Sequence, residues 1–249
     1  MQLYYSFLIF TLGAIFGSFL NVVIYRLPRH ESIVHGSSHC TNCQTPIKAY
    51  DLIPIISYLI LGGKCRKCHH PISLRYPLIE LLTAVCFYLT YQTFGLNFNL
   101  AIGLILTTIL IIITMIDIDT MDIYDRFHIM IFGLAIIYLF ITPVPMIEHV
   151  IGFFIISIPL YVIAYLTGGI GGGDIKLMAV SGLLLGYKAT LVAFFIAVVL
   201  GGIVAMGLLV TKQKERGSQM AFGPFLCLGI YFAYLYGNQI FNWYLTLFS

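Results

Sequence analysis

Residues 98–116 read FNLAIGLILTTILIIITMI and are followed directly by Asp117, Ile118 and Asp119. The stretch contains no charged residue, and it is long enough to cross the hydrocarbon core of a bilayer, which takes about 20 apolar residues in a helix. Carboxylates are costly beside a bilayer and are usually kept there for a function. The stretch therefore predicts a membrane-spanning helix with a candidate functional site at its end.

The composition of the whole chain has the same character. Its 249 residues are 60% hydrophobic and 9% charged, with a mean hydropathy of +0.97, whereas roughly 25% of the residues of a soluble domain are charged. The apolar runs predict an all-α polytopic membrane protein whose spans lie at 3–25, 77–94, 98–116, 127–142, 147–167, 175–187, 190–210 and 221–247. The sixth run is short for a span, so we expect seven or eight transmembrane helices. The first run lacks the basic start and small-residue exit of a signal peptide, so we expect it to remain as an anchor.

The basic residues predict how the chain is oriented in the cell membrane. With eight spans, the segments 26–76, 117–126, 168–176 and 211–220 share one side and contain twelve of the thirteen Lys and Arg residues. Lys188 alone falls on the other side. Because Lys and Arg in short loops stay in the cytoplasm, the N-terminus is predicted outside and the aspartates at the cytoplasmic surface. The net charge of +3 reflects this topology, and without a basic stripe interleaved with aromatic residues we expect no nucleic-acid partner.

The polar segment 26–76 contains four cysteines with the spacing of a metal site. Two C-x2-C pairs are separated by 21 residues, and their members are Cys40, Cys43, Cys65 and Cys68. A segment of this size is marginally stable without a cross-link such as a disulfide or a bound metal ion. Four thiolates at this spacing favour tetrahedral zinc. A thiol–disulfide redox pair is the alternative, although disulfides are rare in the reducing cytoplasm. Three flanking histidines could replace a ligand or remain solvated, namely His39, His69 and His70.

Aspartates are concentrated in two places at the ends of apolar runs. Four lie between 117 and 125, and Asp174 follows the glycine-dense stretch 168–173. Helix capping is the structural alternative for Asp122, Asp125 or Asp174. It does not explain Asp117, which lies at the end of a helix, where the helix dipole disfavours an anion. The glycines would let the chain bend and let a peptide substrate approach the backbone closely.

Two carboxylates in hydrogen-bond reach of each other suit the chemistry of an aspartic protease. Both cannot ionise easily, so one holds a proton while the other acts as a base toward water. Asp117 and Asp174 would form such a pair only if the fold brought them together across 57 residues. The topology permits this meeting, because both lie on the same predicted side of the membrane.

Over nearly its whole length the chain resembles the type IV prepilin leader peptidases, which cut the leader from prepilins and pseudopilins and in many members N-methylate the new terminus. Six motifs carry the resemblance in order: GSFLNV at 17–22 with RLP at 26–28, the two C-x2-C pairs, IPIISY at 53–58, ISLRYP at 72–77 with Glu80, DID at 117–119, and GGGDIKL at 171–177. Presenilin-like aspartyl proteases share the G-x-G-D string. One departure is Tyr124, where family members usually carry proline.

The resemblance implies a catalytic pair, Asp117 and Asp174, with lesser or unknown roles for the neighbouring Asp119 and Asp125. It implies cleavage of prepilin or pseudopilin leaders at the cytoplasmic membrane surface, while the apolar helix of the substrate stays in the lipid bilayer. It also implies methyl transfer from S-adenosylmethionine to the new amine. The implied organisation is a first transmembrane helix at 1–25, a zinc-binding domain linked to methyl transfer at 26–76 and a peptidase domain at 77–249.

Three other functions use some of the same features. A transporter also keeps aspartates near glycine-broken helices, and Pro159 would supply a further break. A membrane phosphotransferase would hold Mg²⁺ with clustered aspartates, although we would then expect them in one string. A non-catalytic assembly factor for pili or secretion could carry the zinc module without using the aspartates. The sequence predicts no oligomeric state.

Overall fold

The structure is a computed structural model that describes residues 1–36, 38–143, 145–211 and 220–247. Three residues of the topology argument, Lys212, Lys214 and Arg216, lie outside these ranges. The described chain is helical and contains no β-strand beyond two isolated bridges, His39 with Pro46 and Lys64 with Pro71. The predicted all-α class is therefore confirmed.

Ten α-helices occupy most of the described residues. They are α1 (Gln2–Arg26), α2 (Ile56–Ile60), α3 (Arg75–Phe94), α4 (Phe98–Thr120), α5 (Asp125–Ile141), α6 (Met146–Ile155), α7 (Ser157–Thr167), α8 (Gly172–Leu185), α9 (Tyr187–Val210) and α10 (Gly223–Thr246). Among the described residues, four helical stretches are long and apolar enough to cross a membrane: Gln2–Arg29, Phe98–Thr120, Met146–Thr167 and Tyr187–Val210. The chain is thus a membrane protein by composition and helix length, and the count of seven or eight spans remains a prediction.

The apolar run at 147–167 forms two helices rather than one. The break falls at Ile156, whose φ is −105° and ψ is −36°. Pro159 follows three residues later and has no N–H to donate to the carbonyl of Ile155. The missing bond explains why α6 ends and α7 begins there.

The chain divides into two compact units, Met1–Thr108 and Ile109–Ser249. The first contains α1, α2, α3 and the first half of α4. Within it α1 packs closely on α3, because a Cβ atom at Gly13 would lie 2.7 Å from Cα of Ala84 and one at Gly17 would lie 2.6 Å from Cα of Glu80. Two glycines spaced four apart on one helix face allow such an approach. An apolar cluster of Ile9, Phe87, Tyr91 and Leu100 completes this packing.

The second unit contains the rest of α4 and the helices α5 to α10. Its helices also meet through glycine: Gly152 of α6 lies against Gly182 of α8, and Gly229 of α10 lies against the carbonyl of Ala193. Its core contains fully buried Ile113, Ile116, Ile131, Leu177, Met178, Leu184 and Leu226. The predicted boundaries at 25/26 and 76/77 both fall inside the first unit, and the functional division into three parts remains a prediction.

Candidate active site and metal centre

Asp117 lies in the last turn of α4 and is 5% exposed. Its Oδ2 accepts a hydrogen bond of 3.0 Å from the backbone N–H of Gly223, the first residue of α10. The positive end of the α10 dipole therefore faces this carboxylate and favours its ionised form. This contact offsets the unfavourable dipole of α4 that the sequence predicts for Asp117.

Asp174 is the third residue of α8 and is half-buried. It follows the bend at Gly171, whose φ is −67° and ψ is 137°. A Cβ atom at Gly171 would lie 3.3 Å from Oδ2 of Asp174, and one at Gly173 would lie 3.0 Å from Cβ of Ile123. The glycines thus leave room on both sides of the aspartate.

The two aspartates approach one another around Ile123. This residue is 8% exposed, and its side chain lies against both Gly173, which precedes Asp174, and Gly223, which binds Asp117. Asp174 is close enough to Asp117 for the two carboxylates to repel each other. Both also act electrostatically on the buried Cys227. The fold therefore gathers the predicted pair into one region of the second unit.

A histidine that the sequence reasoning did not single out binds this region. His128 of α5 is 5% exposed, and its Nε2 lies 3.0 Å from the carbonyl oxygen of Gly173. Since a carbonyl can only accept, Nε2 carries the donated hydrogen. Its Nδ1 lies 3.4 Å from Oδ1 of Asp125, and the same carboxylate oxygen lies 2.6 Å from Nζ of Lys176. His128 thus holds the backbone beside Asp174, while Lys176 and Asp125 form an ion pair next to it.

Helix capping, the structural alternative for Asp122, Asp125 or Asp174, was wrong. Tyr124 is the N-cap residue of α5 and Gly171 that of α8, and neither helix has a side-chain cap. Asp125 instead pairs with Lys176, whose ammonium lowers the pKa of the Asp125 carboxyl below its usual range. Asp119 and Asp122 are exposed.

The four predicted metal ligands form one cluster in the first unit. The sulfur atoms of Cys40, Cys43, Cys65 and Cys68, hereafter the cysteine cluster, all lie within 4.8 Å of one another. Each C-x2-C pair closes a tight turn in which the backbone N–H four residues after the first cysteine donates to its carbonyl, over 2.9 Å and 3.0 Å. The residue after each pair has a left-handed φ, 57° at Gln44 and 56° at His69.

The donor set fits a tetrahedral thiolate metal site. A metal–sulfur distance of about 2.3 Å requires sulfurs roughly 3.8 Å apart, and those of Cys40 and Cys68 are 3.7 Å apart. The hydroxyl of Thr45, 3.3 Å from the sulfur of Cys43, lowers the pKa of that thiol to about 6. Among the described residues no histidine joins the cluster, so His39, His69 and His70 are not part of it. The cluster can hold a metal ion, and zinc is the ion that its chemistry favours.

These features define a class: an all-helical membrane protein with paired carboxylates in one unit and a four-cysteine metal site in the other. Residues 11–94 match the family described as the bacterial Peptidase A24 N-terminal domain, and residues 104–206 match the type IV leader peptidase family.

Full-length relatives agree with this class. The chain is 35% identical to the prepilin leader peptidase/N-methyltransferase of Bacillus subtilis (strain 168), over 96% of this chain and 98% of that protein. It is 33% identical to the protein of that name from Aeromonas hydrophila (99% and 95% covered) and 35% identical to that from Neisseria gonorrhoeae (94% and 93% covered). The chain therefore belongs to the type IV leader peptidase family, as the motifs predicted. No solved structure matches it.

Proposed function

We propose that this chain is a membrane-embedded aspartyl endopeptidase that removes the leader of type IV prepilins or pseudopilins and N-methylates the new N-terminus. The observation that carries the proposal is that Ile123 lies against both Gly173, which precedes Asp174, and Gly223, which binds Asp117, in a chain that is similar from end to end to relatives named for both activities. The same similarity argues against the transporter and assembly-factor alternatives.

The two aspartates take different parts in the proposed hydrolysis. Asp117 accepts the N–H of Gly223 at the start of α10, so it is the better placed of the two to hold the negative charge and act as the base. Asp117 removes a proton from a water molecule, whose oxygen attacks the scissile carbonyl carbon. Asp174 gives its proton to the carbonyl oxygen. The tetrahedral intermediate then breaks at its carbon–nitrogen bond: the leaving amine takes the proton that Asp117 holds, and a hydroxyl of the intermediate returns a proton to Asp174 as the new carboxyl group forms.

The reaction takes place at the cytoplasmic surface of the cell membrane. The asymmetry of Lys and Arg along the sequence supports this orientation, with the N-terminus outside. A basic leader stays in the cytoplasm for the same reason, while the apolar helix of the substrate remains in the bilayer. The scissile bond then lies at the level of the two aspartates.

The cysteine cluster has a structural part in this proposal. Cys40, Cys43, Cys65 and Cys68 would hold the zinc ion, and because four thiolates leave no open coordination position, the ion would stabilise the segment 26–76 rather than react. S-adenosylmethionine supplies an electrophilic methyl group for the second reaction.

Mapping the products tests both activities at once. The purified protein is incubated in detergent with a prepilin-like substrate, with and without S-adenosylmethionine, and the products are identified by mass spectrometry. We expect one cut at the end of the leader in both incubations and a methylated new amine only when the methyl donor is present. An intact substrate, or a cut at another bond, would contradict the peptidase. A cut without methylation would remove the second activity and leave the first.

A further inference from the structure

The proposed peptidase reaction leaves one buried acid without a use. Glu80 lies on α3 and is 8% exposed. One of its oxygens, Oε2, accepts a 2.7 Å hydrogen bond from the backbone N–H of Ile55, and the hydroxyl of Ser18 also stabilises the carboxylate. Within the described part of the chain no Lys, Arg or His is paired with it.

The other acids of the first unit are not in this position. Asp51 is bonded by the guanidinium of Arg66 through distances of 2.7 Å and 2.9 Å, and Glu31 is exposed. Burying a carboxylate is costly unless a cation or several donors compensate it. Glu80 is therefore the one acid between residues 1 and 108 that is both buried and without a cationic partner in the described chain.

Strained backbone covers this carboxylate. Ile55 has φ 61° and ψ −51°, and the N–H of Ile56 donates to the carbonyl of Pro54 over 2.5 Å. These values describe a γ-turn with a positive φ, which is rare and strained, especially at a β-branched residue. Such strain persists only where the surroundings enforce it, and it concentrates at functional sites. Here the carboxylate of Glu80 accepts the N–H of the strained residue itself, Ile55.

Three distant segments converge to build the site. Gly17 lets α1 approach α3, since a Cβ atom there would lie 2.6 Å from Cα of Glu80, and this approach places Ser18 beside the carboxylate. The turn is fixed on its other side because the hydroxyl of Ser57 donates to the carbonyl of Tyr50 over 2.8 Å. The neighbouring side chains of Ile53 and Ile56 are 47% and 55% exposed, so the carboxylate lies one strained turn below an accessible apolar surface.

We propose that Glu80 is the anionic site that binds a cationic reactant of methyl transfer, with the turn at 54–56 as its cover. This proposal rests on the methyltransferase part of the proposed function. Both reactants are cations, because the new N-terminus is an ammonium and the methyl donor is a sulfonium. Either one compensates the buried charge of Glu80, and the exposed apolar side chains beside the turn suit the apolar helix that follows the new amine.

The reaction at this site balances in protons and electrons. The ammonium first loses a proton to solvent, and its nitrogen lone pair attacks the methyl carbon. The carbon–sulfur bond breaks and its electron pair stays on sulfur, which becomes a neutral thioether. The new N–C bond leaves a methylammonium, which remains a cation until it loses a proton.

Glu80→Gln tests the proposal, because an amide oxygen still accepts the N–H of Ile55 while the charge is lost. Glu31→Gln, at an exposed acid of the same unit, is the matched control. We expect Glu80→Gln to lower the rate of methylation at least tenfold while the rate of leader cleavage and the melting temperature stay unchanged. Wild-type methylation in the same assay shows that the activity itself exists, so its absence there would contradict the proposed function rather than the site.

Binding measurements identify the cation without using turnover. Calorimetry compares S-adenosylmethionine with S-adenosylhomocysteine, which lacks the sulfonium charge, and a cleaved N-terminal peptide with its acetylated form. If Glu80 binds the sulfonium, Glu80→Gln weakens the binding of S-adenosylmethionine but not that of S-adenosylhomocysteine. If Glu80 binds the ammonium, the substitution weakens the binding of the free peptide but not that of the acetylated peptide. Either result supports the proposal. Three results for Glu80→Gln would overturn the proposal: unchanged binding of both cations, methylation at the wild-type rate, or an equal loss of cleavage and methylation. Glu80 would then be a structural residue.

Discussion

The hydrogen bond between Gly223 and Asp117 makes the Gly223→Ala variant informative. The added Cβ would lie 2.6 Å from Oδ2 of Asp117, 3.0 Å from its Cγ and 3.3 Å from Cδ1 of Ile123. Carbon and oxygen atoms do not approach so closely without displacement, so either the carboxylate or the start of α10 must move. In both cases the 3.0 Å bond to the N–H of Gly223 is lost or weakened.

The size of the effect follows from the charge of the acceptor. A hydrogen bond to a charged group contributes about 1.5–3 kcal/mol, and about 1.4 kcal/mol corresponds to tenfold in rate. If this bond keeps Asp117 ionised and aligned for the attack of water, its loss lowers kcat about 10- to 150-fold. KM should change little, because the bond touches no part of the substrate.

The assay is leader cleavage at several substrate concentrations, beside Gly202→Ala as the control. A Cβ atom at Gly202 in α9 has no other atom within 4 Å, so this second glycine replacement should keep the wild-type kcat. Wild-type kcat in a stably folded Gly223→Ala variant would refute the role given to this contact. A raised KM with unchanged kcat would refute it equally.

Three further results are expected. His128→Ala removes the donor to the carbonyl of Gly173 and should lower kcat about tenfold, because a hydrogen bond of about 1 kcal/mol is lost and Asp174 is less well aligned. His128→Gln keeps an N–H donor and should recover most of the rate. Equal rates in both variants would contradict the positioning role of His128. The ion pair of Lys176 with Asp125 lowers the pKa of the Asp125 carboxyl. The stability that this ion pair contributes is therefore present above the ordinary carboxyl pKa of about 4 and is lost as the pH falls through the lowered value. The difference in melting temperature between wild type and Lys176→Gln should be present at about pH 6 and vanish in acid, and a difference that grew in acid would contradict this prediction. Cys40→Ser should lose the zinc that we propose for the cysteine cluster, measured by elemental analysis against wild type, and expose the segment 26–76 to proteolysis while cleavage persists. Full zinc content in the variant would contradict the four-thiolate assignment.

Spacing alone predicted the cysteine cluster because its geometry is local. A C-x2-C pair closes one tight turn, and the second pair repeats that turn with the same hydrogen bonds. The sequence therefore predicts both C-x2-C turns, and only the approach of one turn to the other depends on the fold. The flanking histidines could not be excluded in this way, since any of them was near enough along the chain to serve as a ligand.

Residues that depend on distant contacts were less predictable. Gly223 lies 106 residues from Asp117, and Gly173 lies 45 residues from His128. A single glycine or histidine in an apolar run carries no pattern that identifies its partner. The capping interpretation failed for a related reason: Asp125 had a local helix start available, but the fold supplied Lys176 from α8 as a stronger partner.

The break between α6 and α7 was partly predictable from the sequence. Pro159 was visible in the sequence as a possible interruption, and its missing N–H accounts for the break near Ile156. Hydropathy predicted one span at 147–167, and the structure has one candidate span at Met146–Thr167. Hydropathy did not place the break within that span, because apolar composition does not report on the hydrogen bonds of the helix. The backbone of Ile55 was equally hidden, since isoleucine is a residue that rarely adopts a positive φ.

Leader cleavage by Asp117→Asn and by Asp174→Asn tests the central claim most directly. Asn keeps the size of the side chain and removes its ability to exchange a proton, and Asp122→Asn, at an exposed acid just beyond α4, serves as the matched control. With equal amounts of folded protein, we predict that both variants of the pair lose cleavage while the control retains it. Full cleavage by either Asp117→Asn or Asp174→Asn would contradict the aspartyl pair.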